Sequence, residues 1–104
     1  EVPERMFTLE ELAEYDGRRH PSVFLGARGF VYDVTGGAKF YGPGGPYGHM
    51  AGSDATLALA RFSLDPGLLN RPWDNLGSDE EDTLSGYVRT LQSKYPCVGR
   101  LRSR

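Results

Sequence analysis

The side chains best suited to bind a metal or a polar ligand are concentrated between Lys39 and Gly52, in the stretch KFYGPGGPYGHMAG. This stretch holds five of the fourteen glycines, with Tyr41, Tyr47 and His49 placed among them. Because glycine loses more conformational freedom on folding than any other residue, such a loop is costly to order, and a bound ligand would offset that cost. Glycines let a backbone approach a flat ligand closely, while a phenol or an imidazole can bind a metal or hydrogen-bond to a polar edge. The stretch therefore predicts a ligand-binding loop.

The segments before this loop predict a short helix and a β-hairpin. Thr8 and Glu11 have the spacing of a capping box, which indicates a helix that starts there and stops at Asp16-Gly17. Residues 22–25 and 30–34 are rich in Val, Phe and Tyr and flank a turn at 26–29, a pattern typical of two antiparallel strands.

The segment after the loop predicts a second helix, capped by Ser53, whose apolar residues recur at helical spacing and should face the core. These residues are Ala55, Ala58, Leu59 and Phe62. An irregular connection at 63–77 should follow, with one helical turn around Leu68-Leu69.

The strongest helical pattern begins at Ser78, which has Glu81 at capping-box spacing, and it is ended by Pro96. One apolar stripe runs along it, formed by Leu84, Tyr87, Val88, Leu91 and Tyr95. Residues 97–101 then read as a terminal strand able to join the sheet of the hairpin. Because helices and strands are mixed without regular βαβ alternation, the pattern predicts an α+β domain with helices on one side of a small antiparallel or mixed sheet. The ligand pocket should lie between helices and sheet.

Composition predicts one globular domain over residues 1–104, with its core at about 6–101. Cys97 is the only cysteine, so an intrachain disulfide and a cysteine-rich zinc site are excluded. The net charge of −2 and the absence of a long basic block argue against nucleic acid, and Arg100, Arg102 and Arg104 are more typical of a solvated end. No apolar run is long enough for a membrane span.

The sequence also contains no motif that indicates enzyme activity. Asp33 and Asp54 lie at a predicted strand end and in the first turn of a predicted helix, where capping explains an acidic residue. No serine lies in a G-x-S-x-G context, and the GPGG run lacks the Lys and Ser/Thr of a phosphate-binding loop. We therefore expect a binding module rather than a catalyst.

Four segments carry a resemblance to a known family. They are FTLEELAEYDG, VYDVTGGAKFYGPGGPYGHMAGSDAT, LARFSLD and KYPCVGRL. Together they span Phe7 to Leu101 and resemble the membrane-associated progesterone receptor family, a branch of the cytochrome b5-like haem/steroid-binding domains. The most specific part is Asp33-Val34-Thr35 followed by the residues 39–43 and 46–48.

The resemblance implies a cytochrome b5-like fold with a non-covalent, b-type haem. Conventional cytochrome b5 holds its iron through a histidine of an HPGG motif, whereas the matching loop here reads YGPGG. In this branch a tyrosine is the axial ligand, and that position falls on Tyr47. The supporting tyrosine of the family falls on Tyr41, and its Lys-Tyr pair falls on Lys94 and Tyr95. His49, two residues after Tyr47, is an alternative ligand or a residue of the pocket rim.

Tyrosinate ligation also has a chemical rationale. A phenol with a reference pKa of about 10 is protonated at neutral pH, but ferric iron favours its ionised form, because a hard cation prefers an anionic oxygen. A phenolate stabilises ferric over ferrous iron, so the site should have a low reduction potential and be a poor electron shuttle. A nearby cation such as Lys94, or a donor hydroxyl from Tyr41 or Tyr95, would favour the ionised ligand or hold a propionate. The tyrosines also fit a simple packing role.

The resemblance further implies haem-dependent association, either with a second copy or with a haem-thiolate monooxygenase, and tethering to the endoplasmic reticulum membrane through a segment absent from this sequence. Some relatives are secreted, which is the alternative setting. The residues themselves also allow two other functions. One is a steroid- or lipid-binding module in which haem is incidental, and the other is an electron-transfer cytochrome that uses His49.

Overall fold

The fold is built on a four-stranded mixed sheet, described by a computed structural model for residues 4–102. Its strands are β1 (Met6–Phe7), β2 (Phe24–Ala27), β3 (Phe30–Asp33) and β4 (Cys97–Leu101), in the spatial order β1-β4-β3-β2. The predicted hairpin is confirmed as the antiparallel pair β2 and β3, and the predicted terminal strand pairs antiparallel with β3. The short strand β1, which runs parallel to β4, was not predicted. Arg104 of the predicted basic tail lies outside the described residues.

The hairpin turn is tighter than the predicted turn at 26–29. Only Arg28 and Gly29 form it, with φ of 50° and 81°, as a two-residue hairpin loop with left-handed backbone at both positions requires. Gly26 belongs to β2 instead and pairs with Val31. A side chain at Gly26 would meet the backbone of Asp54, which explains a glycine inside a strand.

The helices are α1 (Leu9–Ala13), α2 (Ala38–Tyr41), α3 (Thr56–Ala60) and α4 (Ser78–Lys94). The predicted capping box of α1 is confirmed: the Thr8 hydroxyl accepts from the Glu11 N–H at 3.0 Å, and the Glu11 carboxylate accepts from the Thr8 N–H at 2.8 Å. The predicted turn around Leu68 is confirmed as the 3₁₀ turn Pro66–Leu68. Helix α2 was not predicted, because its sequence lies in the glycine-rich stretch.

The cap of α4 lies one residue earlier than the predicted Ser78–Glu81 pair. Gly77 is the N-cap, and its N–H donates to the Glu80 carboxylate at 2.9 Å. Glu81 instead forms an ion pair with Arg28 at 3.0 Å. Both acids lie in the first turn of the helix, so local sequence alone allowed either register.

Helix α3 is shorter than its apolar pattern predicted, and Ser53 is not its cap. The Asp54 carboxylate accepts from the Thr56 N–H at 3.1 Å and from the Thr56 hydroxyl at 2.5 Å. At the other end the backbone turns left-handed at Phe62, with φ of 51°. The Phe62 side chain is 80% exposed, so the prediction that it lies in the core was wrong.

The sheet separates two apolar clusters because alternate strand residues point to opposite faces. The larger cluster joins Leu25, Ala27 and Tyr32 of the sheet to the apolar faces of α3 and α4. The smaller cluster gathers Phe7, Leu12, Phe24 and Val31. The prediction of helices on one side therefore holds for α3 and α4, whereas Leu12 anchors α1 in the smaller cluster.

Candidate functional site

A pocket of about 250 Å³ lies between the glycine-rich loop, α3 and α4. Three tyrosines line it, namely Tyr41, Tyr47 and Tyr87. The rest of its wall is mostly apolar and comes from Met50, Ala58, Leu59, Phe62 and Leu64, with Ser63 beside them. The predicted pocket beside the loop is therefore present, and its polar side chains are the three phenols and the Ser63 hydroxyl.

The backbone of the loop fixes Tyr47 at the edge of this pocket. The Tyr47 N–H donates to the Phe40 carbonyl at 2.8 Å, and the Tyr47 carbonyl accepts from the Met50 N–H at 3.0 Å. A Cβ at Gly45 would lie 2.6 Å from the Phe40 carbonyl oxygen, and one at Gly48 would lie 2.6 Å from the Gly42 carbonyl oxygen. These glycines thus let the loop pack against itself, rather than opening its backbone to a ligand as the sequence had indicated.

A hydrogen-bonded motif anchors the chain to the sheet shortly before α2, the helix that carries Tyr41. The Asp33 carboxylate accepts from the Thr35 N–H at 3.0 Å and also from the Thr35 hydroxyl. The same hydroxyl accepts from the Val23 N–H at 2.9 Å, which ties the motif to the sheet. Asp33 is therefore structural, as its position in the sequence predicted. The 3₁₀ turn Thr35–Gly37 follows, and Tyr41 is the last residue of α2, which comes directly after that turn.

Tyr41 lies at the centre of a cluster of aromatic rings. Its ring centroid is 5.7 Å from that of Tyr47, and the Tyr95 ring meets it edge-on at 6.2 Å. Burial raises the pKa of Tyr41 to about 12, and the neighbouring phenols of Tyr95, Tyr47 and Tyr87 add to this rise. Tyr41 therefore stays protonated at neutral pH and keeps its hydroxyl available as a hydrogen-bond donor.

The predicted site residues divide into two groups. The first group consists of three tyrosines in ring contact, Tyr41, Tyr47 and Tyr95. Tyr95 contacts Tyr41 but does not line the pocket. Lys94 is the last residue of α4, and its side chain is exposed. His49 is exposed on the 3₁₀ turn Gly48–Met50 and lies outside the lining of the pocket.

Two pocket residues were assigned to the core by sequence reasoning. Tyr87 lies on the predicted apolar stripe of α4 but faces the cavity, and burial raises its pKa, with Tyr47 as a second cause. Phe62 stacks on it with ring centroids 6.3 Å apart. Helical spacing identifies the side of the helix that is covered, but it does not say whether that side meets a neighbour or a cavity. The sequence signal for this wall of the pocket was one aromatic residue just after α3 and another on α4.

A comparison with known protein families identifies the family to which the chain belongs. The sequence profile described as "Cytochrome b5-like Heme/Steroid binding domain" matches residues 8–102. The chain belongs to this family. Its architecture agrees, because a solved Arabidopsis thaliana protein described as having a cytochrome b5 like fold superposes with a TM-score of 0.86 at 36% identity, covering 96% of this chain and 93% of that one. The predicted cytochrome b5-like α+β fold is thereby confirmed.

Characterised relatives place the chain in the membrane-associated progesterone receptor branch, as the sequence resemblance indicated. Human "Membrane-associated progesterone receptor component 2" is 44% identical over 103 residues, which cover 96% of this chain and 46% of the relative. The Schizosaccharomyces pombe "Cytochrome P450 regulator dap1" is 40% identical over 106 residues, which cover 95% of this chain and 64% of the relative. The chain thus spans about half the length of its human relative. Between residues 4 and 102 no helix is long and apolar enough to cross a bilayer.

Proposed function

We propose that this domain binds b-type haem non-covalently in the tyrosine-lined pocket, with the Tyr47 oxygen as the axial ligand of ferric iron. The observation that carries the proposal is the setting of Tyr47. Its side chain is 37% exposed at the edge of an apolar cavity, while its backbone is held by hydrogen bonds on both sides. Its phenol is therefore both accessible and prepositioned, so binding would require little reordering of the ligand residue.

The lining of the pocket suits a haem that is only partly enclosed. The cavity measures about 250 Å³, which is less than the about 300–1,000 Å³ of pockets that bury most of a drug-sized ligand, so much of the macrocycle would lie outside it. Its wall offers apolar side chains for a macrocycle, and its phenol oxygens suit ferric iron. Phe62 and Leu64, which are 80% and 55% exposed, would extend the apolar surface beyond the cavity.

Each predicted site residue has a role in this proposal. Bound ferric iron supplies a positive charge that favours the ionised form of a phenol. Tyr47, which is 37% exposed, would release its proton to solvent, and Tyr41, which is neutral at neutral pH, would donate a hydrogen bond toward that oxygen. Tyr95 packs edge-on against Tyr41 and keeps its ring in place. Lys94 has an exposed cationic side chain at the end of α4 that would pair with a propionate.

The domain would act through association rather than by a reaction of its own. The lining of the pocket contains no carboxylate, imidazole or thiol, so no acid–base pair or strong nucleophile faces the cavity. An uncovered haem face beside Phe62 and Leu64 would form an apolar patch of the kind that binds partners. The two candidate partners are a second copy of the domain and a haem-thiolate monooxygenase. The name of the fission-yeast relative, a cytochrome P450 regulator, supports the second partner.

A steroid or another flat lipid is the second candidate ligand, with haem incidental. The family description includes steroid binding, and the apolar pocket, which is edged by three phenol hydroxyls and the Ser63 hydroxyl, suits a lipid with polar ends. An electron-transfer role through His49 has less support, because His49 is exposed and does not line the pocket.

The cellular setting is also a proposal. The human relative is named as membrane-associated, and this chain covers about half of its length. We infer that the domain works at the endoplasmic reticulum membrane, held there by a segment outside this sequence. A secreted form is the alternative, and fractionation of cells that express the full-length protein distinguishes the two.

Titration with haemin, followed by visible absorption, tests the proposed function. We expect saturable binding with a spectrum typical of tyrosinate-bound ferric haem, lost in Tyr47→Phe and retained in His49→Ala. A matched competition with progesterone tests the steroid alternative. An unchanged spectrum in Tyr47→Phe, or a low-spin spectrum abolished by His49→Ala, would overturn the assignment of the ligand. Sedimentation of the haem-free and haem-loaded protein at micromolar concentration tests association, which fails if both sediment alike.

A further inference from the structure

We propose that Gly37 is a positioning residue of the site. The lack of a side chain at this position leaves room for the ring of Tyr95. The Tyr95 ring supports Tyr41, and Tyr41 lies against Tyr47. Where it concerns haem, this inference rests on the proposed function. Where it concerns the rings themselves, it is independent of any ligand.

Gly37 and the Tyr95 ring approach each other too closely for any other residue at position 37. Gly37 is buried at the end of the 3₁₀ turn that precedes α2. A Cβ added there would lie 3.0 Å from Cζ and 3.2 Å from Cε1 of Tyr95, and closer still to its hydroxyl oxygen. Such distances lie inside van der Waals contact, so a methyl group and the ring could not both keep their places.

Neither backbone is free to yield. The Gly37 N–H donates to the Val34 carbonyl at 2.8 Å. On the other side, Pro96 follows Tyr95 directly, and its carbonyl accepts from the Asp33 N–H at 2.9 Å. The main chain is thus held at both positions, and the contact would be relieved by rotation of the Tyr95 side chain.

Rotation of the Tyr95 side chain would also disturb the surroundings of Tyr47, the proposed ligand. The Tyr95 ring meets Tyr41 edge-on, with an interplanar angle of 88°, and Tyr41 is the neighbour of Tyr47. Because protein interiors are close-packed, losing the edge contact would leave Tyr41 free to shift within its site. The hydroxyl that we assign as donor to the Tyr47 oxygen would move with it.

The backbone of Gly37 gives no other reason for a glycine. Its φ of −107° and ψ of 31° lie outside the left-handed region, so alanine can adopt them. Alanine would also reduce the entropy of the unfolded chain. The contact with Tyr95 is therefore the structural reason that position 37 is restricted.

The preceding residue provides a matched control. Gly36 lies in the same 3₁₀ turn, but a Cβ added to it would meet no atom within 4 Å. Gly36→Ala therefore makes the same chemical change one residue away without touching Tyr95. Tyr95→Phe provides the complementary variant, because it removes the atom closest to the added methyl group.

The experiment compares Gly37→Ala, Gly36→Ala, Tyr95→Phe and the double variant Gly37→Ala/Tyr95→Phe. In the haem-free protein, ¹H–¹³C spectra of the tyrosine rings report the positions of Tyr41 and Tyr95. In the haem-loaded protein, haemin titration and haem transfer to apomyoglobin report affinity and release. We expect Gly37→Ala to shift both ring signals and to weaken haemin binding by about 10- to 100-fold, the range found for residues that orient a metal ligand. Gly36→Ala should stay within about twofold of the parent.

The double variant decides whether the contact with Tyr95 is the cause. Gly37→Ala should weaken binding less in the Tyr95→Phe background than in the parent, because the hydroxyl oxygen, the closest clashing atom, is gone and only the contacts with Cζ and Cε1 at 3.0 and 3.2 Å remain. An equal loss in both backgrounds, or unshifted ring signals in Gly37→Ala, would overturn the proposal. Should Gly37→Ala fail to fold while the double variant folds, the contact is supported. Should neither fold, Gly37 serves the fold rather than the site, and the proposal is overturned.

The two proposals fail in different ways. An unchanged haemin spectrum in Tyr47→Phe would refute the proposed ligand, but the ring signals of the haem-free protein would still test the role of Gly37. If Tyr47→Phe loses haemin binding as expected and Gly37→Ala has no effect, the assignment of Tyr47 as the ligand is supported and the positioning role of Gly37 is refuted.

Discussion

The phenol of Tyr41 should make the stability of the domain depend on pH in the alkaline range. Burial, reinforced by the neighbouring phenols, raises its pKa from 10.0 to about 12. The folded protein therefore keeps the proton that the unfolded chain gives up near pH 10. The stability that Tyr41 contributes is fully present below about pH 10, and it is lost as the pH rises through about 12.

The size of the effect follows from the shift. A rise from 10.0 to about 12 is a change of about two pKa units. At about 1.36 kcal/mol per unit this corresponds to about 2.7 kcal/mol. The Tyr41 side chain is only partly buried, so solvent screening reduces the expected contribution to about 1–2 kcal/mol.

Urea unfolding followed by circular dichroism at about pH 8 and about pH 11.5 measures this contribution. Between the two conditions the parent should lose about 1–2 kcal/mol more than Tyr41→Phe loses, because the variant has no phenol to ionise at this position. Burial also raises the pKa of Tyr32 and Tyr87, but both remain in parent and variant and cancel in the difference. Tyr15→Phe, in the smaller cluster, is the control for loss of a hydroxyl outside the site. Equal losses in the parent and in Tyr41→Phe would refute the burial of this phenol and its role as a neutral donor.

Four further substitutions test other parts of the structure. Phe62→Ala removes an 80% exposed ring and should weaken haemin binding about three- to tenfold with little change in the urea midpoint; an unchanged titration would remove Phe62 from the site. Thr56→Val deletes the buried hydroxyl that accepts from the Arg28 N–H at 2.9 Å, and should lower the free energy of unfolding by about 1–3 kcal/mol, whereas a neutral effect would contradict this role. Leu84→Ala opens a cavity at a fully buried position and should lower the same quantity by about 2–5 kcal/mol; a loss below about 1 kcal/mol would mean that the core closes around it. His49→Ala should leave the ferric haem spectrum unchanged, and a loss of its bands would make His49 the ligand.

Local signals in the sequence were sufficient for much of the fold. The capping box at Thr8 and the hairpin were predicted because each depends on residues within a few positions of one another. Strand β1 could not be predicted, since its two residues pair with Arg100 and Leu101 at the far end of the chain. The length of α3 was overestimated for a similar reason, because helical spacing included Phe62 although the backbone has already turned away there.

Only part of the candidate site could be predicted from the sequence. Tyr41, Tyr47 and Tyr95 were identified through the family resemblance, and the structure places their rings together. Tyr87 and the contact between Tyr95 and Gly37 could not be read from the sequence. Both depend on how α4 packs against the loop, which periodicity within α4 does not specify.

The proposed function depends on a bond between the Tyr47 oxygen and iron, which resonance Raman spectroscopy of the ferric haem complex can detect. We expect vibrational bands of an iron-bound phenolate in the parent and in His49→Ala, and their absence in Tyr47→Phe. Bands that persist in Tyr47→Phe, or a parent spectrum that shows imidazole ligation without phenolate bands, would contradict it.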